Sequence, residues 1–190
     1  MNFNRHSDLE GLHAPFSPSQ SSWLRYDDDK ALEVFANKKS AEMGTRLHAW
    51  AKETIDLGIK QPRSRKTLYS YVNDAIGFKM STEVVLFYSI YFFGTADAIS
   101  FRDGMLRIHD LKTGKVGKIE SHIEQLEIYA ALFCLEYKVK PKDISIELRV
   151  YKNDEVICHN PEPNDILEIM DKIVHLNKLL EGADYGGFNS

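Results

Sequence analysis

At 190 residues, with a net charge of −4, 43% hydrophobic and 27% charged residues, the chain is sized for one domain around one substantial core. No apolar run approaches the roughly 20 residues of a membrane span, and the polar start does not read as a signal peptide; two isolated cysteines, Cys134 and Cys158, exclude a disulfide scaffold, a zinc site or an iron–sulfur cluster and point to the cytoplasm. The negative balance excludes bulk attraction to a polyanion, so any hold on nucleic acid must come from local basic patches and bound metal.

Residues 1–16 lack periodicity and read as a flexible arm. Ser17-Pro18-Ser19-Gln20 is a helix start, with Ser17 as cap, Pro18 in the first turn and Gln20 closing a capping box. From Ser40 to Leu57, Met43, Leu47, Trp50, Ala51 and Ile55 recur at helical spacing, and Gly58 supplies the stop. A further helix is predicted over Thr67–Ile76, ending at Gly77. Thr82 to Ile99 reads as two strands. Arg102-Asp103-Gly104 then turns the chain into a third strand, Leu106–Leu111. Ile119–Tyr137 is helical, with Ile123, Leu126, Tyr129, Ala130 and Phe133 on one face. Ile144–Tyr151 alternates as a strand, Asn153-Asp154 turns it, and Glu155–His159 returns beside it. A last helix runs from Pro163 to Leu180, with residues 183–190 as a frayed tail. The expectation is one mixed α/β domain over residues 17–182, a central mixed sheet flanked by helices.

Chemistry concentrates in Gly94-Thr95-Ala96-Asp97 and His109-Asp110-Leu111-Lys112-Thr113-Gly114-Lys115. Asp110 and Lys112 are two apart, so an extended strand points both to one side and Leu111 to the other. The hairpin between the two segments can bring Asp97 into the same cluster. Hard cations such as Mg²⁺ take one or two carboxylates together with waters and substrate phosphate, and a lysine alongside can orient water or stabilise charge. The plainer alternative is a surface ion pair at a strand end. Gln125 and Tyr129, four apart, share a helical face; the alternative is a packed tyrosine and a solvated glutamine. His48 beside Leu47 is either a boundary residue or a metal ligand, and Glu83 heads the first strand. Candidate backbone-holding residues are Lys60, Arg63, Arg65 and Lys66 in a Pro-containing loop, and Lys115 and Lys118 directly after the lysine motif.

In this order the motifs resemble the PD-(D/E)XK nuclease superfamily, in particular its RecB-like and phage exonuclease branch. Gly94–Asp97 is similar to its G-x-x-D, Asp110–Lys112 to its (D/E)-x-K and Gln125–Tyr129 to its Q-x-x-x-Y. Gly44–His48 resembles its helical histidine motif, and Ser17–Gln20 a common opening. The resemblance covers roughly Ser17 to Tyr151. It implies a restriction-endonuclease-like core, with Asp97, Asp110, the Leu111 carbonyl and His48 holding Mg²⁺ or Mn²⁺. Lys112 would assist the attacking water, Glu83 would support the site, and Gln125 and Tyr129 would face DNA. Unlike the CRISPR-associated members, this chain lacks four cluster cysteines, and no G-x-x-x-x-G-K-[ST] motor motif occurs. The expected activity is a metal-dependent DNA exonuclease, ahead of an endonuclease, of a phage or a repair and recombination system. Its expected partners are DNA and either a second copy or a recombination or repair protein, with no membrane. The alternatives are a catalytically idle nuclease-fold subunit that binds DNA or an assembly, and an α/β domain with a structural cation.

Overall fold

The computed structural model describes residues 21–114 and 118–186. The chain divides into two compact units, Met1–Arg46 and Leu47–Ser190. A 3₁₀ turn (Ser21–Arg25) precedes the long helix α1 (Asp28–Asp56), which begins in the first unit and ends in the second. Asp27 caps α1: its Oδ1 accepts the Lys30 N–H at 2.8 Å, and Asp28 and Asp29 complement the positive end of the helix. The helix therefore begins a dozen residues before the predicted Ser40. Its early part carries exposed Leu32 and Phe35 instead of a buried stripe, so apolar periodicity does not reveal it, whereas its Ala, Glu and Lys content favours it. Met43, counted in the predicted stripe, is half exposed; Gly44 is buried, and the buried apolar side chains begin at Ala51 and Ile55. The predicted cap at Ser17–Gln20 and the arm 1–16 lie outside the described residues.

In the second unit, α2 (Thr67–Gly77) leads into β1 (Ser81–Ser89), β2 (Phe92–Arg102) and β3 (Met105–Lys112). Then follow α3 (Ile119–Tyr137), β4 (Ser145–Lys152), β5 (Glu155–His159) and α4 (Pro163–Gly186). The five strands form one sheet in sequence order, antiparallel throughout except where β3 and β4 run parallel. Two hairpins close with consecutive left-handed residues, Asp103-Gly104 and Asn153-Asp154, whose positive φ values match the strand twist. The parallel pair needs a crossover, which α3 supplies. This is an α/β fold with a mixed sheet flanked by helices, compatible with a restriction-endonuclease-like core. Helix α4 continues past Gly182 to Gly186, and the rest of the tail expected to fray, residues 187–190, lies outside the described residues. Among the described residues, no helix is long and apolar enough to cross a membrane.

Both sheet faces are covered. On one, Leu106, Ile108, Leu148 and Val150 pack against Leu126, Ala130 and Ile166 of α3 and α4; burying each such branched side chain stabilises by about 1.5–3 kcal/mol. On the other, Leu111, Ala98 and Tyr151 meet Ala51 and Ile55 of α1 and Tyr71, Val72 and Ala75 of α2. The outer hairpin changes face partway along. Ala96 and Val84 pack toward α3, whereas Ala98 packs toward α2 and Thr82 donates to Asp56 of α1 at 2.6 Å. Register pairs 82 with 98 and 84 with 96, and between them stand Glu83 and Asp97. Glu83 takes φ 51°, a left-handed conformation that costs a non-glycine residue roughly 1–2 kcal/mol. The twist at Glu83 and Asp97 is what turns two acids out of the ladder together.

Candidate metal centre

The face change delivers Glu83 and Asp97 to His48 on α1. One potential ligand atom from each lies within 4.8 Å of the others, and His48 Nδ1 stands 3.5 Å from Asp97 Oδ2. Asp97 also accepts the Leu111 N–H at 3.0 Å, which fixes its carboxylate across the end of the β2–β3 ladder. Ladder pairing of β2 with β3 stops at Ala98–His109, so that N–H would otherwise lack a strand partner. Burial, and then the charge of Asp110, raise the Asp97 carboxyl to about 6, against the Leu111 N–H, His48 and Lys112. The same carboxylates act on Tyr71: burial first, then Asp97, Asp110 and Glu83, push its phenol above the ordinary range.

Asp110 and Lys112 occupy the opposite, α3-facing side of β3, as their spacing predicts, while Leu111 points into the α1–α2 core. Asp110 is only 3% exposed. Its Oδ1 accepts from Lys112 Nζ at 3.0 Å, and its buried Oδ2 has no hydrogen-bond partner among the described residues. A buried carboxylate oxygen left without a partner costs about 1–3 kcal/mol or more, a cost that either a proton or a bound cation would remove. Lys112 also donates to Gln125 Oε1 at 3.0 Å, and Gln125 Nε2 donates to Tyr129 Oη at 3.3 Å. The ring of Tyr129 lies where a side chain at Gly94 would be: a Cβ there would stand 2.9 Å from Tyr129 Cε1. The glycine of the first motif thus makes room for the tyrosine of the third, and the tyrosine, glutamine, lysine and aspartate form one chain of contacts.

The expected site residues therefore divide into three groups. Asp97, Glu83 and His48 form a compact trio, and Asp110 and Lys112 form a pair joined to it through the backbone of Leu111. Gln125 and Tyr129 brace that pair from α3, Gln125 through Lys112 and Tyr129 through Gln125. Of Leu111 the hydrogen bonds show the N–H on Asp97, whereas its carbonyl was the expected ligand. Arg63 and Arg65 lie on the exposed loop before α2, and Arg63 lines a separate depression of about 420 Å³ with Asp74 and Arg149. Lys118 is exposed at the cap of α3, and Lys115 lies outside the described residues.

Sequence reasoning missed three neighbours of the centre. Tyr71 is buried in the core between α1 and α2, and that burial hides its electrostatic coupling to the acids. Lys152 pairs in register with Lys112 on the neighbouring parallel strand, and its Nζ is 3.2 Å from His122 Nε2. Nothing local marks Lys152 or His122, because Lys152 comes beside Lys112 only through a β3–β4 register spanning 40 residues and meets His122 across 30. The donor set suits a hard divalent cation: one imidazole and three carboxylates, of which Asp110 has an orphaned oxygen. No family model, curated protein or solved structure matches this chain.

Proposed function

We propose that the protein is a Mg²⁺- or Mn²⁺-dependent deoxyribonuclease, acting on DNA ends in the manner of the PD-(D/E)XK enzymes that its motifs resemble. The observation that carries this reading is the orphaned Oδ2 of Asp110, buried beside a fixed lysine and next to the His48–Glu83–Asp97 trio. Asp97 and Asp110 would hold the cation, with Glu83 and His48 on the Asp97 side. A bound divalent cation supplies Lewis-acid stabilisation of phosphoryl charge and acidifies water at neutral pH.

The protein's own groups do the rest. Lys112 spends two of its three N–H donors on Asp110 and Gln125, which aims the third at an incoming water or phosphate oxygen. Gln125, held by Tyr129, keeps the ammonium from swinging away when Asp110 is engaged elsewhere. The Asp97 carboxyl at about 6 is ionised, and able to ligate, at neutral pH, and is increasingly blocked by a proton below it. Two cysteines without a disulfide, one buried and one exposed, suit a reducing compartment.

The test is cleavage of linear DNA with Mn²⁺ by the wild type and by Asp110→Asn. The expected loss is on the order of a thousandfold, several kcal/mol of transition-state stabilisation. Equal cutting by the two proteins would end the proposal. Metal-dependent stabilisation with no cutting by either would favour the idle, cation-binding domain.

A further inference from the structure

The β3–β4 junction places two lysines side by side, Lys112 and Lys152, at the carboxyl ends of the two parallel strands. Both reach toward α3, each to a different residue of one helical face: Lys112 to Gln125 and Lys152 to His122, three positions earlier. Their roles differ. Lys112 sits against Asp110, whereas Lys152 is 4% exposed and directs its ammonium to an imidazole. An ammonium only donates, so His122 Nε2 is the acceptor and the ring proton resides on Nδ1. His122 itself is partly exposed, in the first turn of α3, whose cap Lys118 provides no side-chain hydrogen bond to the helix end. Its second nitrogen is therefore an N–H donor of a partly exposed ring, polarised by a buried cation, in the first turn of a helix whose cap side chain makes no hydrogen bond. Carboxyl ends of parallel strands that meet a helix N-terminus favour anionic ligands.

We propose that His122 is a phosphate-binding residue of this centre, with Lys152 as the positioning residue that fixes its tautomer. It would hold a phosphate oxygen of the bound strand through Nδ1–H, next to the phosphate at Asp110 and Lys112. The inference rests on the nuclease reading for the identity of the phosphate and on geometry alone for the donor.

The experiment has two arms, so that the two ideas fail separately. In the first, the ¹⁵N-labelled imidazole of His122 is observed by long-range ¹H–¹⁵N NMR while inorganic phosphate is added to metal-free protein. The expected spectrum is the Nδ1–H tautomer, with shifts that saturate with phosphate. Lys152→Met is expected to lose both the tautomer and the response, and His122→Gln to lose the signal with folding intact at its partly exposed position. In the second, cleavage of linear DNA with 5′-phosphate or 5′-hydroxyl ends is measured with Mn²⁺. Both variants should raise KM about 10-fold with kcat within about twofold, the size of one lost charge-assisted contact. A KM effect confined to 5′-phosphate ends would assign the terminal monoester, and an effect on both substrates an internal diester. A wild-type His122 that holds the Nε2–H tautomer and ignores phosphate, with KM unchanged in His122→Gln, overturns the inference and leaves the nuclease reading standing. Phosphate-responsive His122 in a protein that cuts nothing keeps the site and sinks that reading.

Discussion

Strand β3 carries two buried polar residues in succession, His109 and Asp110, on opposite faces of the sheet, and their surroundings differ in kind. His109, fully buried, meets Tyr151 Oη at 3.2 Å, and Tyr151 donates to Asp74 at 2.7 Å. Arg149 pairs with Asp74 at 2.9 Å and with Glu147 at 3.1 Å; Arg107 joins Glu147 at 3.3 Å, and both guanidinium groups lie over Phe78. Two arginines thus meet two carboxylates. Burial, then Arg149 and Arg107, hold His109 down to about 3, so it stays neutral and the network is electrically closed. Around the His48–Glu83–Asp97 trio and the Asp110–Lys112 pair joined to it through Leu111, three carboxylates are set against one lysine and one histidine, the Asp97 carboxyl is raised to about 6, and the buried Asp110 Oδ2 has no partner among the described residues. The arginine network balances its charges although His109 Nε2, Arg107 Nε, Arg149 Nε and Glu147 Oε1 have no hydrogen-bond partner among the described residues; it is the excess of acid around Asp110, more than an orphaned atom as such, that reads as a place for a cationic ligand.

The sharpest way to break that comparison is to interchange the readouts. Asp110→Asn should cost about a thousandfold in cleavage with little or no loss of stability, since it removes a buried charge that lacks a full set of partners. Arg149→Met should do the reverse. It leaves Asp74 and Glu147 short of a partner, and urea denaturation should show a loss of ~2–4 kcal/mol, discounted for the partial exposure of the pair. Cleavage should stay within about twofold. A stability loss in the first variant and an activity loss in the second would invert the assignment.

Asp97 sharpens the contrast through pH. Its carboxyl rises from 3.8 to about 6 on folding, so the folded state favours the protonated form. The stability this provides is full below about pH 4 and is lost as pH rises through 6. Asp97→Asn, which can still accept the Leu111 N–H, should therefore stabilise metal-free protein above pH 6 by up to ~3 kcal/mol, with the difference vanishing toward pH 4. Saturating Mn²⁺ should reverse the order by raising the melting temperature of the wild type alone. Identical pH profiles for the two proteins would show that Asp97 carries no such strain.

The smallest expected effect concerns the brace. Gly94→Ala forces its new Cβ against Tyr129, and overpacking of this kind costs ~1–3 kcal/mol. Because Tyr129 holds Gln125 and Gln125 holds Lys112, cleavage should fall as well. In a Tyr129→Ala background the same glycine substitution should cost almost nothing, and a persistent penalty there would separate the glycine from the tyrosine.

Much of this was legible in the residues. Asp-Gly and Asn-Asp turns marked the β2–β3 and β4–β5 hairpins, since few residues adopt consecutive positive φ values. Helix α3 matched its predicted span from Ile119 to Tyr137, and the two-residue spacing of Asp110 and Lys112 put both on one face. The early turns of α1 escaped, because an exposed polar helix leaves no apolar period to read.

Local rules therefore settle element type, turn position and side-chain alternation, because they act over a few neighbouring bonds. Only the tertiary structure decided that β1 and β2 change face at Glu83 and Asp97, so that His48 meets those two acids while Asp110 stands on the other side of Leu111. It also decided that Lys152 lies beside Lys112 and reaches His122. These meetings depend on register and packing between distant segments, and no window along the chain contains both partners.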